Sequence, residues 1–187
     1  MDQSEIINLI KDGVKPGLWA DLGSGTGAFT LALKQLAGSD IEIYSVDANQ
    51  KSLNEQKATF EKLFPDNKIH FLVQDFTKDL NLPKLDGILM ANSLHFVKYK
   101  ESFLEELKNL LKPDGRLLIV EYDTDQANPY VPHPLAFGNL EKLLIDRGFE
   151  VKLLAHAPSR YQNRMYSAVA TVIFSNNKKT NPDQIRD

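Results

Sequence analysis

Glycines and carboxylates in this sequence are spaced to hold a small, donor-rich ligand. The segment Ala20-Asp21-Leu22-Gly23-Ser24-Gly25-Thr26-Gly27 follows an apolar run and precedes a helical pattern, the setting in which a glycine-rich turn cradles a ligand. Glycine permits tight torsions there and lets a ligand lie against bare main chain. Asp21 stands two residues before the first glycine, Asp47 lies twenty residues beyond Gly27, and Asp75 follows a third apolar run. Ionised carboxylates only accept hydrogen bonds, so the three suit a sulfonium cation, an ammonium group, ribose hydroxyls and an exocyclic amine. No Lys or Arg lies between Leu18 and Leu33, so the loop offers a phosphate no cation and is not a P-loop. Gly23, Gly25 and Ala28 still satisfy the looser dinucleotide form, and a plain turn stays open as well. Asp21 can equally cap backbone amides, and Asp75 can cap a short helix beginning near Thr77.

Three further regions could do chemistry or select a partner. His95, in Ala91-Asn92-Ser93-Leu94-His95-Phe96-Val97, could act as a general base or simply shape a pocket. The proline-rich stretch after Glu121 carries Tyr122, Tyr130 and His133, and could form a substrate wall or only a stiff surface connection. Arg160 and Tyr161, in the segment 159–166, could hold an anionic or aromatic acceptor, with a solvated hairpin tip as the alternative. No His/Cys/Asp cluster has metal-ligand spacing, so no metal is expected.

These residues need a frame to bring them together, and the hydrophobic pattern supplies one. Short apolar runs, 17–22, 41–46, 69–73, 85–91 and 116–121, alternate with helical patterns at 28–37, 50–64 and 100–111. That layout predicts an α/β fold: a Rossmann-like three-layer sandwich around a mostly parallel, seven-stranded sheet. A short amphipathic helix is expected over 4–11 and another helix over 135–146. The last two strands, 149–155 and 165–174, leave no room for a crossover helix, so they pair antiparallel or belong to separate parts of the sheet. In a parallel sheet the three aspartates converge on the carboxyl edge, where ligands bind. One domain is expected over 1–174, with a polar tail over 175–187.

At these positions the sequence resembles the class I S-adenosylmethionine-dependent methyltransferases of small-molecule type. ADLGSGTG is similar to the family's first motif, and YSVDAN and VQDF to its acidic positions. LDGILMANSLHFV and LKPDGRLLIVE are similar to its later ones. The resemblance implies S-adenosylmethionine as cofactor, with Asp21, Gly23, Ser24, Gly25 and Gly27 around its methionine part and ribose. It implies Asp47, beside Ala48, on the ribose hydroxyls, Asp75 on the adenine amine, Phe76 along the ring and Asn92 near the methionyl group. The implied reaction is methyl transfer to an O, N or C atom of a small-molecule acceptor. An NAD(P)-dependent reductase, a non-catalytic binding domain and a methyltransferase of macromolecules are the competing readings. The acidic series and the lack of a Tyr-x-x-x-Lys segment speak against the reductase.

The remaining bounds come from composition. The chain has 187 residues, 42% of them hydrophobic and 25% charged, enough for one full core. Its net charge of -3 gives no bulk attraction to phosphates, so a nucleic-acid partner is not expected. Cysteine is absent, which excludes disulfides, thiolate metal sites and a cysteine nucleophile. Neither a signal-like N-terminus nor a bilayer-length apolar run is present, so no membrane association and a cytoplasmic location are expected. Nothing in the pattern sets an oligomeric state.

Overall fold

A computed structural model describes residues 1–159 and 164–173. Its centre is one seven-stranded sheet: β1 (Gly17–Leu22), β2 (Ile41–Asp47), β3 (Ile69–Val73), β4 (Leu85–Ala91), β5 (Leu111–Tyr122), β6 (Phe149–Pro158) and β7 (Arg164–Val172). The strand order is β3-β2-β1-β4-β5-β7-β6. Strands β1 to β5 are parallel, and β7 runs antiparallel to both β5 and β6. The expected Rossmann-like α/β sheet with an antiparallel C-terminal strand is therefore present, and the last two strands do pair antiparallel.

Five helices accompany it among the described residues: α1 (Gln3–Ile10), α2 (Ala28–Ala37), α3 (Gln50–Leu63), α4 (Lys100–Leu110) and α5 (Phe137–Ile145). α1 starts at a capping box in which the Asp2 side chain accepts from the Glu5 N–H and Glu5 answers on the Asp2 N–H. Asn49 caps α3 by accepting from Lys51 and Ser52 N–H. α5 begins two residues later than its apolar pattern suggests. Asp125 and Asp123, distant in sequence, accept from the N–H groups of Ala136 and Phe137 and fix its start.

The central strands are mostly apolar because both faces are covered. Ala20, Leu22, Ile88, Met90, Leu117 and Ile119 face α4 and α5 in one core. Trp19, Ile43, Leu89, Leu118 and Val120 meet Ile10 of α1 and Leu33 of α2 in the other. Each fully buried side chain of this size contributes roughly 1.5–3 kcal/mol. The alternation also decides where Asp21 goes. Paired in register with Ser45 of β2, it lies on the Trp19 side, toward α2.

β5 starts at Leu111, before the Pro113-Asp114-Gly115 turn, and its pairing with β4 shifts between Leu85 and Gly87. The order reverses between β1 and β4, so the crevice at their carboxyl ends is the ligand position of such a sheet. No helix among the described residues is long and apolar enough to cross a membrane.

Candidate active site

β1 ends at Leu22 and the chain turns through Gly23, Gly25 and Gly27, with φ of 81°, 56° and 87°. Two of these glycines are closely packed. A Cβ on Gly27 would come within 2.3 Å of the Gln56 amide, and one on Gly23 within 2.6 Å of Ser93. Gly25 differs, because a Cβ there would meet nothing within 4 Å. The turn is fastened to β2 by Gly23 and Ser24 N–H, which donate to Val46 O at 2.9 and 3.1 Å. What it leaves is a fixed ledge of main chain, open at Gly25.

Asp47 closes one end of this ledge. Its Oδ2 accepts from Gly25 N–H and its Oδ1 from Asn49 N–H, both at 2.8 Å. Each carboxylate oxygen has a second lone pair for a further donor. Ala48 beside it is exposed. Asp75 sits farther out, exposed, with Oδ1 accepting from the Thr77 N–H (2.9 Å) and hydroxyl (2.7 Å). Those bonds hold its carboxyl below the ordinary carboxylate range. The turn-capping role is thus present, while Oδ2 has no hydrogen bond among the described residues. Phe76 is a core residue, 6.1 Å from Phe103 ring to ring, whose edge also reaches the space beside Gly23.

Asn92, just past β4, has φ of 54°, a left-handed conformation that asparagine tolerates better than most residues. Its N–H donates to Val120 O, while Ser93 beside it donates its hydroxyl to Leu22 O at 2.6 Å. The loop after β4 is thereby tied to the end of β1. The Asn92 Oδ1 is buried with no hydrogen-bond partner, a state that native structures rarely leave unexplained.

Asp21 lies beneath the ledge, 1% exposed, with Oδ2 accepting from the Thr30 hydroxyl at 2.6 Å. Burial pushes its carboxyl up to about 7, against the Thr30 bond and aided by the charge of Asp47. The unfolded chain gives up this proton near 3.8. The stabilising effect of the bound proton is therefore complete below about pH 4 and is lost as pH rises through about 7. Three units correspond to roughly 4 kcal/mol. Urea unfolding of the ligand-free protein should show its stability advantage over Asp21→Asn shrinking by up to that amount between pH 4 and 8. A constant difference would disprove the assignment.

His95 sits in a short 3-10 turn, Leu94–Phe96, and is 4% exposed. Its Nδ1 lies 2.9 Å from Glu121 Oε2, and its main-chain N–H donates to Glu121 Oε1 at 3.1 Å. The other ring nitrogen has no hydrogen bond among the described residues. A cavity of about 500 Å³ lies alongside, walled by Asn92, His95, Phe96, Tyr122, Asn128, Tyr130 and Val131. Tyr122 and Asn92 also border a second cavity of about 310 Å³ reaching Met1, Glu5 and Met165. Tyr130 is 81% exposed at the rim. His133 does not line either cavity. Its N–H donates to His95 O and its carbonyl accepts from the buried Lys100, so it fastens the proline-rich loop to the His95 turn. Arg160 and Tyr161 lie outside the described residues, as does the tail 175–187.

Four residues in this region escape sequence reasoning. Glu121 reads as the last residue of an apolar strand, and only the fold places it against His95. Thr30, Ser45 and Gln56 are fully buried below the loop. Gln56 leaves one sequence signal, being a polar residue within the buried stripe Leu53, Gln56, Phe60 of α3.

A family model described as a methyltransferase domain matches residues 19–171. The chain belongs to the class I S-adenosylmethionine-dependent methyltransferases. A ubiquinone/menaquinone biosynthesis C-methyltransferase of Vibrio campbellii is 29% identical over 120 residues, covering 63% of this chain and 46% of that protein. A demethylmenaquinone methyltransferase of Clavibacter sepedonicus is 28% identical over 168 residues, covering 88% of this chain and 59% of its own. The chain thus spans about half the length of these curated relatives. In fold, this class I methyltransferase is similar to a SAM-dependent methyltransferase from Aquifex aeolicus, with TM-score 0.67, 22% identity and coverage of 92% and 100%. It is also similar to the magnesium protoporphyrin IX methyltransferase of Synechocystis with bound SAH, with TM-score 0.71, 18% identity and coverage of 91% and 81%. The reductase reading drops out with this membership.

Proposed function

We propose that this chain binds S-adenosylmethionine across the glycine ledge and transfers its methyl group to a small-molecule acceptor. The observation that carries the reading is the buried, partnerless Asn92 Oδ1 at the end of β4, in the loop that Ser93 ties to the end of β1 beside Gly23. With Asp21, Asp47 and Asp75 it forms a set made entirely of acceptors, which fits a ligand whose polar edge is made of donors. S-adenosylmethionine, when bound, supplies an electrophilic methyl group on a sulfonium.

The chain's own residues do the rest. Gly23, Ser24, Gly25 and Gly27 offer main chain, Asp47 accepts from ribose hydroxyls with Ala48 at its side, and Asp75 accepts from the adenine amine through Oδ2. Phe76 borders the ring, and Asn92 and Asp21 receive the ammonium end. The cavity beside Asn92 is of a size and apolar lining suited to a planar acceptor. Relatives named for quinone biosynthesis and a structural neighbour named for a porphyrin support trying such molecules first. Phe96, Tyr122 and Tyr130 flank the acceptor. With its Nδ1 turned to Glu121, His95 presents its other ring nitrogen to take the acceptor's proton. Acceptor held against methyl donor in a water-poor cavity gains rate by proximity.

The reading includes one methyltransferase domain over 1–174, a tail over 175–187, a cytoplasmic location and a small-molecule rather than nucleic-acid partner. Net charge -3 supports the last of these. Arg160 and Tyr161 stay with it as acceptor contacts from the segment after β6. Asp47→Ala should weaken S-adenosylhomocysteine binding by about 1–3 kcal/mol, the range for hydrogen bonds to a charged group. Calorimetry on the folded variant tests this, and unchanged affinity would remove Asp47 from the site.

A further inference from the structure

Below the glycine ledge runs a continuous chain of buried side chains drawn from five elements. The Thr30 hydroxyl of α2 donates to Asp21 Oδ2, and the Gln56 amide of α3 donates to Thr30 Oγ1, each at 2.6 Å. Ser45 of β2 donates to Gln56 Oε1 at 2.6 Å and lies 2.7 Å from Ser24 Oγ in the glycine turn. A hydroxyl has one proton, and that of Ser45 goes to Gln56, so Ser24 must donate to Ser45. Every bond then points the same way, from the loop through Ser45, Gln56 and Thr30 to Asp21. Such a series is mutually reinforcing and favours negative charge at its end. Thr30, Ser45 and Gln56 are 0% exposed. The Gln56 side chain also fills the space that a Cβ on Gly27 would take.

We propose that Gln56 and Thr30 are positioning residues of the cofactor site, coupling the glycine turn to Asp21 so that seating the cofactor's ammonium end releases the Asp21 proton. The inference rests on the methyltransferase reading above. Asp21 Oδ1 accepts no hydrogen bond among the described residues, which leaves that atom for the proton or for the ligand. The step is balanced: the neutral carboxyl loses H⁺ to solvent as the ammonium-bearing ligand takes its place. The groups packed around Asp21 do not titrate in its place. Thr30 comes from α2, Gln56 beyond it from α3, and the register partners are Ser45 of β2 and Leu89 of β4. Asp47 is the charged neighbour that Asp21 feels. Burial, with the Asp47 charge adding to it, favours the protonated carboxyl in the empty site, and a bound cation offsets that penalty.

The test is calorimetry of S-adenosylhomocysteine binding between pH 5.5 and 7.5 in buffers of unlike ionisation enthalpy. The wild type should release about one proton per ligand near pH 5.5 and under about half a proton near pH 7.5, with affinity rising across that window. Asp21→Asn should bind with no proton release and a flat profile. Thr30→Val and Gln56→Met should move the midpoint upward and lower affinity at pH 6 about tenfold, while Thr30→Ser should restore the wild-type midpoint. Thermal denaturation identifies any variant that fails to fold, and Thr30→Ser then carries the comparison. Folded Thr30→Val and Gln56→Met with an unmoved midpoint, or wild-type binding without proton release, would overturn the coupling while leaving the cofactor assignment standing. A wild type that binds no S-adenosylhomocysteine at any pH would remove both.

Discussion

Gly27→Ala is expected to lower stability by about 3 kcal/mol and to leave S-adenosylhomocysteine binding undetectable at concentrations that saturate the wild type. Two effects add. The first is conformational, because Gly27 has φ of 87° and alanine in the left-handed region costs roughly 1–2 kcal/mol. The second is steric. The added methyl would lie 2.3 Å from Gln56 Nε2 and 2.4 Å from its Cγ, so the side chain must leave its place. That breaks the Gln56 bonds to Thr30 and Ser45, leaving those hydroxyls only Asp21 and Ser24 as partners, and each lost bond contributes roughly 0.5–1.5 kcal/mol. Gly25→Ala is the natural control, since a Cβ there meets nothing within 4 Å of the protein. It should fold with a smaller loss, and its binding defect should come from the ligand side alone. Equal stability of Gly27→Ala and wild type in urea unfolding would contradict this account of the loop.

His95→Gln is expected to reduce methyl transfer by about 10²–10⁴-fold, the usual contribution of a placed general base, with S-adenosylhomocysteine affinity within about twofold of wild type. The split follows from position. His95, held by Glu121, lines the cavity with Asn92, Phe96 and Tyr122, and no residue of the glycine turn borders that cavity. Removing the base should therefore cost turnover and spare cofactor binding. The assay is S-adenosylhomocysteine release with an acceptor found by screening planar phenols and quinols. A His95→Gln variant that turns over at the wild-type rate would reduce His95 to a structural part of the turn, held there by Glu121.

The residues proposed for the cofactor stood out in the sequence because each lies at or near a strand end. Asp21 and Asp47 lie at the ends of β1 and β2 and Asn92 just past β4, and a parallel sheet sends all those ends to one edge. The glycines were readable because their torsions need glycine. Asp75 was ambiguous in the sequence for a local reason. Thr77, two residues on, competes for its carboxylate, and in the fold it takes Oδ1. His133 looked like a pocket residue by composition alone. The structure uses its backbone, and a main-chain bond has no signature in residue type.

The alternation of apolar runs and helical patterns determined the layered sheet, since strands buried on both faces and helices buried on one leave different periodicities in the chain. Tertiary structure alone decided which polar residues came together. Glu121 reached His95 because β5 lies beside β4, and Gln56 reached Thr30 and Ser45 because α3, α2 and β2 share one face of the sheet. Local sequence encodes the exposure of each element's faces, whereas a hydrogen bond between residues 26 positions apart exists only once packing has set the distance.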